Sequence, residues 1–204
     1  MSTAISWKAL EDKIARVVKQ GRSAVAVSFR DSEPANVKKF EGTEPSGCSF
    51  WRLAAEGRTF YTVPENHFNC AVGAYTHNIA PSPEREKETE QTLKMMFDLG
   101  YVKQEEVPQI PRLAKGPKAI VYSPLGDAHG EADVVLFAVK PAGAMLMQEA
   151  ANRAGVGVGA PAWGRPTCMA LPASLQHGTI TRIGSANVAL QNYAEGRREQ
   201  LSTV

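Results

Sequence analysis

The 204-residue chain reads as an α/β or α+β protein, a single domain with a central mixed sheet flanked by helices. Three observations predict this class. Apolar residues recur at helical spacing in some segments, as at Trp7, Leu10, Ile14, Val17 and Val18. They alternate in others, as at Val25, Val27 and Phe29. The two periods are interspersed along the chain with no internal repeat, and the length suits one buried core, so residues 1–204 are expected to form one domain.

Taken in order, residues 7–20 predict a first helix, with Ser6 placed to cap it and Gly21 to end it in a left-handed turn. Residues 23–29 predict a strand whose second face, Ala24, Ala26 and Ser28, is small enough for close packing. Residues 31–46 carry Pro34, Gly42 and Pro45 among mixed charges, the composition of a loop and a candidate mobile segment. Residues 48–56 predict a short helix stopped by Gly57, and the aromatic and β-branched residues 59–63 a strand ended by Pro64. Residues 65–77 predict another short helix. Ser82, Pro83 and the acidic Glu84, Glu86 and Glu88 open a helix to residue 99, with Leu93, Met96 and Phe97 expected to face the core. Residues 119–122 and 133–139 predict strands, the second so apolar that both its faces should be covered. Residues 142–154 predict a helix, 155–164 a second candidate mobile loop, and 178–185 a last strand.

The 23 Lys and Arg against 21 Asp and Glu leave a net charge of +2, which argues against a dedicated nucleic-acid binder. No apolar run approaches the roughly 20 residues that span a bilayer, and residues 1–10 lack a secretory leader pattern, so a cytoplasmic protein off the membrane is expected. Three cysteines are too few for a disulfide scaffold and would stay reduced in the cytosol. They are candidates for metal ligation, reactivity or plain core filling.

The densest chemistry lies in Gly47-Cys48-Ser49-Phe50-Trp51-Arg52 and His67-Phe68-Asn69-Cys70-Ala71-Val72-Gly73. Cys48 falls at a predicted helix start, where the dipole and free N–H groups favour the thiolate, the form that attacks or ligates. Cys168 follows Gly164-Arg165-Pro166-Thr167. The three lie at 48, 70 and 168, which matches no compact zinc spacing, so only the tertiary fold can bring them together. On one helix His67, Cys70 and His77 would share a face, which makes either histidine a further metal candidate, for zinc as well as iron. His129 and His177 read as surface residues. Gly155, Gly157 and Gly159 lack the strand, helix and lysine of a phosphate loop, and the common serine-hydrolase and zinc-protease motifs are absent.

The strings 48–54, 59–63, 69–77, 106–113 and 164–168, read together, resemble the domain of unknown function 169 family over nearly the whole chain. The resemblance implies a prokaryotic, cytosolic protein and names no reaction. All three cysteines fall inside those strings. Family members often carry a further cysteine near a glycine in the C-terminal segment, where this chain has Gly184-Ser185-Ala186. The resemblance therefore implies three thiolates, with an open iron or a histidine in place of a fourth.

Two classes of function follow. One is a redox protein or enzyme in which Cys48, Cys70 and Cys168 bind an iron–sulfur cluster, with zinc as the other cofactor that soft thiolates select, acting on a small substrate or a redox partner. The other is a metal-free binding module in which Trp51, Tyr61, Tyr75 and Trp163 line a pocket and Arg52 or Arg165 orients an acidic small-molecule ligand. A third reading makes Cys48 a nucleophile activated by His67. Met145, Leu146, Met147, Val188, Leu190 and Tyr193 offer a homodimer face or close the monomer core.

Overall fold

In the computed structural model, which describes residues 6–18, 21–157 and 167–178, four strands form one sheet in the order β2-β3-β1-β4. The strands are β1 Val25–Arg30, β2 Phe60–Thr62, β3 Ala119–Pro124 and β4 Val134–Leu136. Every strand pair is antiparallel, and the parallel component is a single bridge between Lys39 and Tyr61. The helices are α1 Trp7–Val18, α2 Gly47–Ala55, α3 Ala71–Thr76, α4 Glu86–Asp98, α5 Pro141–Arg153 and α6 Ala170–His177, joined by short 3₁₀ turns. A domain of mixed helices and strands with a sheet flanked by helices is therefore the observed one, with the α+β alternative fitting its antiparallel strand pairs.

The period-two alternation of the strands sorts two cores. Val25, Val27, Phe60, Ile120, Tyr122 and Val134 point to one face, where Phe50, Leu53 and Ala54 of α2, Phe40 and Leu171 of α6 cover them. Ala24 and Ala26 point to the other face, against Leu125, Trp7, Val135 and Phe137. The small residues on that side let α1 lie close to the sheet. Its buried Glu11 accepts hydrogen bonds from the backbone N–H groups of Ala24 (3.1 Å) and Gly126 (2.9 Å), and so fastens α1 to β1 and to the turn after β3. Ser6 caps α1 as the sequence predicts, accepting from the N–H of Ala9 at 3.4 Å.

Three expectations change. The apolar run at 133–139 is a short strand at the sheet edge and not an interior one. Its two faces are nonetheless both covered, Val134 and Leu136 by the first core and Val135 and Phe137 by the second, which is why the run is apolar throughout. The helix after Ser82 begins as a 3₁₀ turn, Pro83–Arg85, and α4 has no fully buried residue; Leu93 is 38% exposed and Met96 and Phe97 are half-buried, so α4 packs at the periphery. Residues 65–77 are two helices and not one: a 3₁₀ turn at Pro64–His67, then a break, then α3.

Residues 31–46 form a loop, tethered where Phe40 N–H donates to Tyr61 O (2.8 Å) and Tyr61 N–H to Lys38 O (3.0 Å). Most of the second candidate loop, 158–164, and the candidate strand from 179 lie outside the described residues, as do Trp163, Arg165, Ser185, Val188, Leu190 and Tyr193. Met145 and Leu146 are exposed on α5. Among the described residues no helix is long and apolar enough to cross a membrane.

Candidate functional site

Three segments distant in sequence pack together beside the first face of the sheet: α2, which lies on β1 and β3, and α3 and the 3₁₀ turn Thr167–Met169 that leads into α6, which pack against α2 and against each other. Each carries one of the cysteines. Cys48 is the second residue of α2 and exposed, its Sγ 3.3 Å from the Ser46 hydroxyl. Cys70 caps α3, its Sγ accepting a hydrogen bond from the N–H of Gly73 at 3.3 Å. Gly73 is required there, since a Cβ at that position would stand 2.9 Å from the sulfur. Cys168 is buried, 7% exposed. Burial pushes its thiol up to about 12; the neighbouring thiols of Cys70 and then Cys48 push the same way, and Thr76 offsets them in part. Outside metal ligation Cys168 is therefore a neutral thiol.

The string 106–113 explains how α3 is held. Tyr75 donates to Val107 O (3.2 Å), the Arg112 guanidinium lies 4.1 Å over the Tyr75 ring and donates to Tyr75 O (2.9 Å), and Leu113 N–H donates to Thr76 O (2.9 Å). Arg112 also holds the side chain of Asn78, which takes the left-handed conformation (φ 56°) after the helix. Gln176 of α6 donates to Arg112 O (2.7 Å), so one segment ties together the elements that bear Cys70 and Cys168.

Beneath the cysteines lie two histidines. Because of the break at residues 68–70, His67 and Cys70 do not share a helix face as the spacing suggests; His67 ends the 3₁₀ turn, and Cys70 and His77 cap the two ends of α3. The fold still brings the imidazoles together, with ring centroids 5.9 Å apart at 27°, and both residues are buried. His77 Nδ1–H donates to Gly73 O (2.7 Å), which leaves Nε2 with its lone pair. His67 Nε2 is hydrogen-bonded to the Thr62 hydroxyl (2.8 Å). His67 Nδ1 and His77 Nε2 have no hydrogen-bond partner among the described residues. Burial lowers both pKa values, that of His67 to about 3 with a smaller push from His77, while for His77 the bond to Gly73 opposes the effect.

Sequence reasoning missed Tyr122, Thr62 and Thr76, which fall inside segments whose pattern signals only packing. Tyr122 is fully buried on β3. A hydrogen bond with Thr62 favours the ionised phenol, and the Thr62 hydroxyl is also bonded to His67 Nε2 (2.8 Å) and Ile120 O (3.4 Å). Burial, and after it the fields of Cys168, Cys48 and Cys70, hold the Tyr122 phenol far above its usual range.

Of the residues expected to form an aromatic pocket, Trp163 and Arg165 lie outside the described residues, and Tyr61, Tyr75 and Arg52 are each engaged elsewhere. Tyr61 points to the sheet face opposite Thr62 and donates to Glu33 (2.6 Å), Tyr75 is taken by Arg112, and Arg52 pairs with Glu56 (3.1 Å). His129 and His177 are exposed, as read from the sequence. An open cleft of about 220 Å³ reaches Cys70 from solvent, lined in part by Asn69, Arg85, Glu88 and Thr92. Among the described residues no three His, Cys, Asp or Glu side chains close around a point that would seat a single metal ion.

Fold and site together define a protein of mixed helices and strands with an antiparallel sheet, beside which three cysteine-bearing segments pack together near a buried histidine pair. The family model for uncharacterised ArCR proteins, domain of unknown function 169, matches residues 13–181, and the chain belongs to this family. No curated protein and no solved structure matches the chain.

Proposed function

We propose that the chain is a cofactor-binding redox protein, or an enzyme acting on a small substrate, in which Cys48, Cys70 and Cys168 hold an iron–sulfur cluster. The observation that supports this reading is that the three elements bearing Cys48, Cys70 and Cys168, far apart in sequence, pack against one another.

The donor chemistry fits, since soft thiolates select iron–sulfur clusters or zinc. A tetrahedral zinc with bonds of about 2.3 Å needs its sulfurs about 3.8 Å apart, and no three donors among the described residues are drawn in around one ion. A cluster of several irons spreads its thiolate ligands over more than one metal and does not need them all around one ion. His77 Nε2 and His67 Nδ1 are the nitrogen donors at hand for a remaining iron. His77 already has the hydrogen bond from Nδ1 to a carbonyl that orients ligating imidazoles.

A bound cluster supplies electron transfer, or Lewis acidity at an iron with no protein ligand. The protein's own contribution is to orient the thiols, to admit solute through the cleft at Cys70, and to give up the Cys168 proton as the site fills. With that thiol pushed up to about 12, loading is favoured by rising pH. Anaerobic reconstitution with iron and sulfide tests the reading. The account expects a brown protein with broad visible absorption, lost in Cys48→Ser, Cys70→Ser and Cys168→Ser alike. A colourless wild type overturns it.

A further inference from the structure

The second face of the sheet carries two separate apolar clusters, one around Ala24, Ala26 and Leu125 and one around Tyr61, Val63 and Ala119. Between them the strands present short side chains, because the alternation that aims Val25, Val27 and Tyr122 at the first core turns Ser28 and Ser123 to this side. Across β1 and β3, Ser28 pairs with Val121 and Ala26 with Ser123. Over these residues lies a hollow of about 210 Å³, bounded by Asn36 and Val37 of the loop after β1 and by His129 and Glu131 of the segment after β3. A cavity of about 150 Å³ already takes up a molecule of the size of benzene.

Two polar groups lining the hollow are uncommitted. Ser123 is 3% exposed, and its hydroxyl has no hydrogen-bond partner among the described residues. Arg30 donates from Nη2 to Glu131 O (3.2 Å), the carbonyl that also accepts from the Ser28 hydroxyl (2.9 Å), and it forms no ion pair among the described residues. The shared acceptor places the guanidinium beside Ser28 with N–H donors to spare. Ser28 and Ser123 are diagonal neighbours on the two strands, a separation of roughly 7–8 Å.

A planar cation near one end of a small hollow and a buried hydroxyl near the other suit a short molecule with a carboxylate and a second oxygen a few atoms away. We propose that this hollow binds a small hydroxy or keto acid, Arg30 pairing with its carboxylate and Ser123 hydrogen-bonding its second oxygen. Glu131, exposed at the rim, sets a negative charge against any further anionic group, which favours monocarboxylates over dicarboxylates. The hollow lies on the sheet face away from α2, so the proposal does not depend on the cluster reading.

The test is an NMR titration of the full chain with β-hydroxybutyrate and with butyrate, the same probe without its hydroxyl. The expected result is saturable amide shifts in β1, β3 and residues 128–131, with β-hydroxybutyrate bound about fivefold more tightly than butyrate. Arg30→Gln should weaken both probes by about tenfold. Ser123→Ala should erase the difference between them and leave the affinity for butyrate unchanged. The spectrum of each variant shows whether it is folded, and the wild-type preference for the hydroxy acid decides the matter if one is not. No saturable shift with β-hydroxybutyrate, shifts centred elsewhere, or equal affinity for the two probes overturns the proposal. So does a folded Arg30→Gln variant that binds as wild type does.

Discussion

The imidazoles of His67 and His77 lie 5.9 Å apart, centroid to centroid, in a pocket that leaves each about 1–2% exposed. Both pKa values are lowered by burial, His67 to about 3. The unfolded chain binds these protons at about pH 6.5 while the folded chain refuses them. For His67 the associated stability is therefore complete above about pH 6.5 and is lost as pH falls from there toward 3, with a slope approaching about 1.4 kcal/mol per pH unit, and His77 acts in the same direction. Urea denaturation between pH 7 and 5, above most carboxylate titration, should show this loss, and a His67→Gln/His77→Gln variant should show a flatter profile. A flat wild-type profile would contradict the burial of the pair.

Phe50 touches Phe40, Phe60, His67 and Tyr122, whereas Met96 is half-buried on a peripheral helix. Phe50→Ala should cost about 3–5 kcal/mol and Met96→Ala less than about 1.5 kcal/mol. Thermal or chemical denaturation of the two variants gives the comparison, and equal losses would mean that α4 carries a core of its own.

Thiol exposure falls from Cys48 through Cys70 to Cys168. Brief treatment of the metal-free native protein with iodoacetamide, followed by peptide mass spectrometry, should label them in that order. Cys168 should react only after unfolding, since it is both buried and held as the thiol. Rapid labelling of Cys168 in the native state would contradict its placement.

Glu11 joins α1 to the sheet through two backbone N–H groups, so Glu11→Ala leaves the buried Ala24 donor and the part-buried Gly126 donor without this acceptor and should destabilise by about 1–3 kcal/mol for the buried group. Gly126→Ala should also destabilise, because its Cβ would stand 2.7 Å from Glu11 Oε2. Full stability in both variants would show that α1 is held by its apolar face alone.

Most elements are legible in the sequence because their patterns are local: Ser6 before an apolar stripe, the alternation at Val25 to Phe29, and Pro141 at the first turn of α5. What escapes is non-local or hidden by a competing signal. The run at 133–139 is apolar on both faces whether central or at an edge, so sheet position cannot be read from it. The break between His67 and Cys70 depends on Asn69 reaching Glu44 O (3.3 Å) and Asn66 reaching Gly42 O (3.0 Å), contacts with a loop more than 20 residues away. Pro172 reads as a turn, yet it stands in the first turn of α6, where its missing N–H is no loss. Within the site the three cysteines are visible as residue types at element ends, while Tyr122 reads as one more strand aromatic until the fold buries its hydroxyl completely.

The central claim is that three thiols serve one cluster, and iron and acid-labile sulfide per chain measure it most directly. Anaerobically purified or reconstituted wild type should contain both in near-equal amounts, several irons to a chain, and each of Cys48→Ser, Cys70→Ser and Cys168→Ser should lose most of both. Wild type without sulfide, or three single variants that keep the wild-type content, would contradict the account.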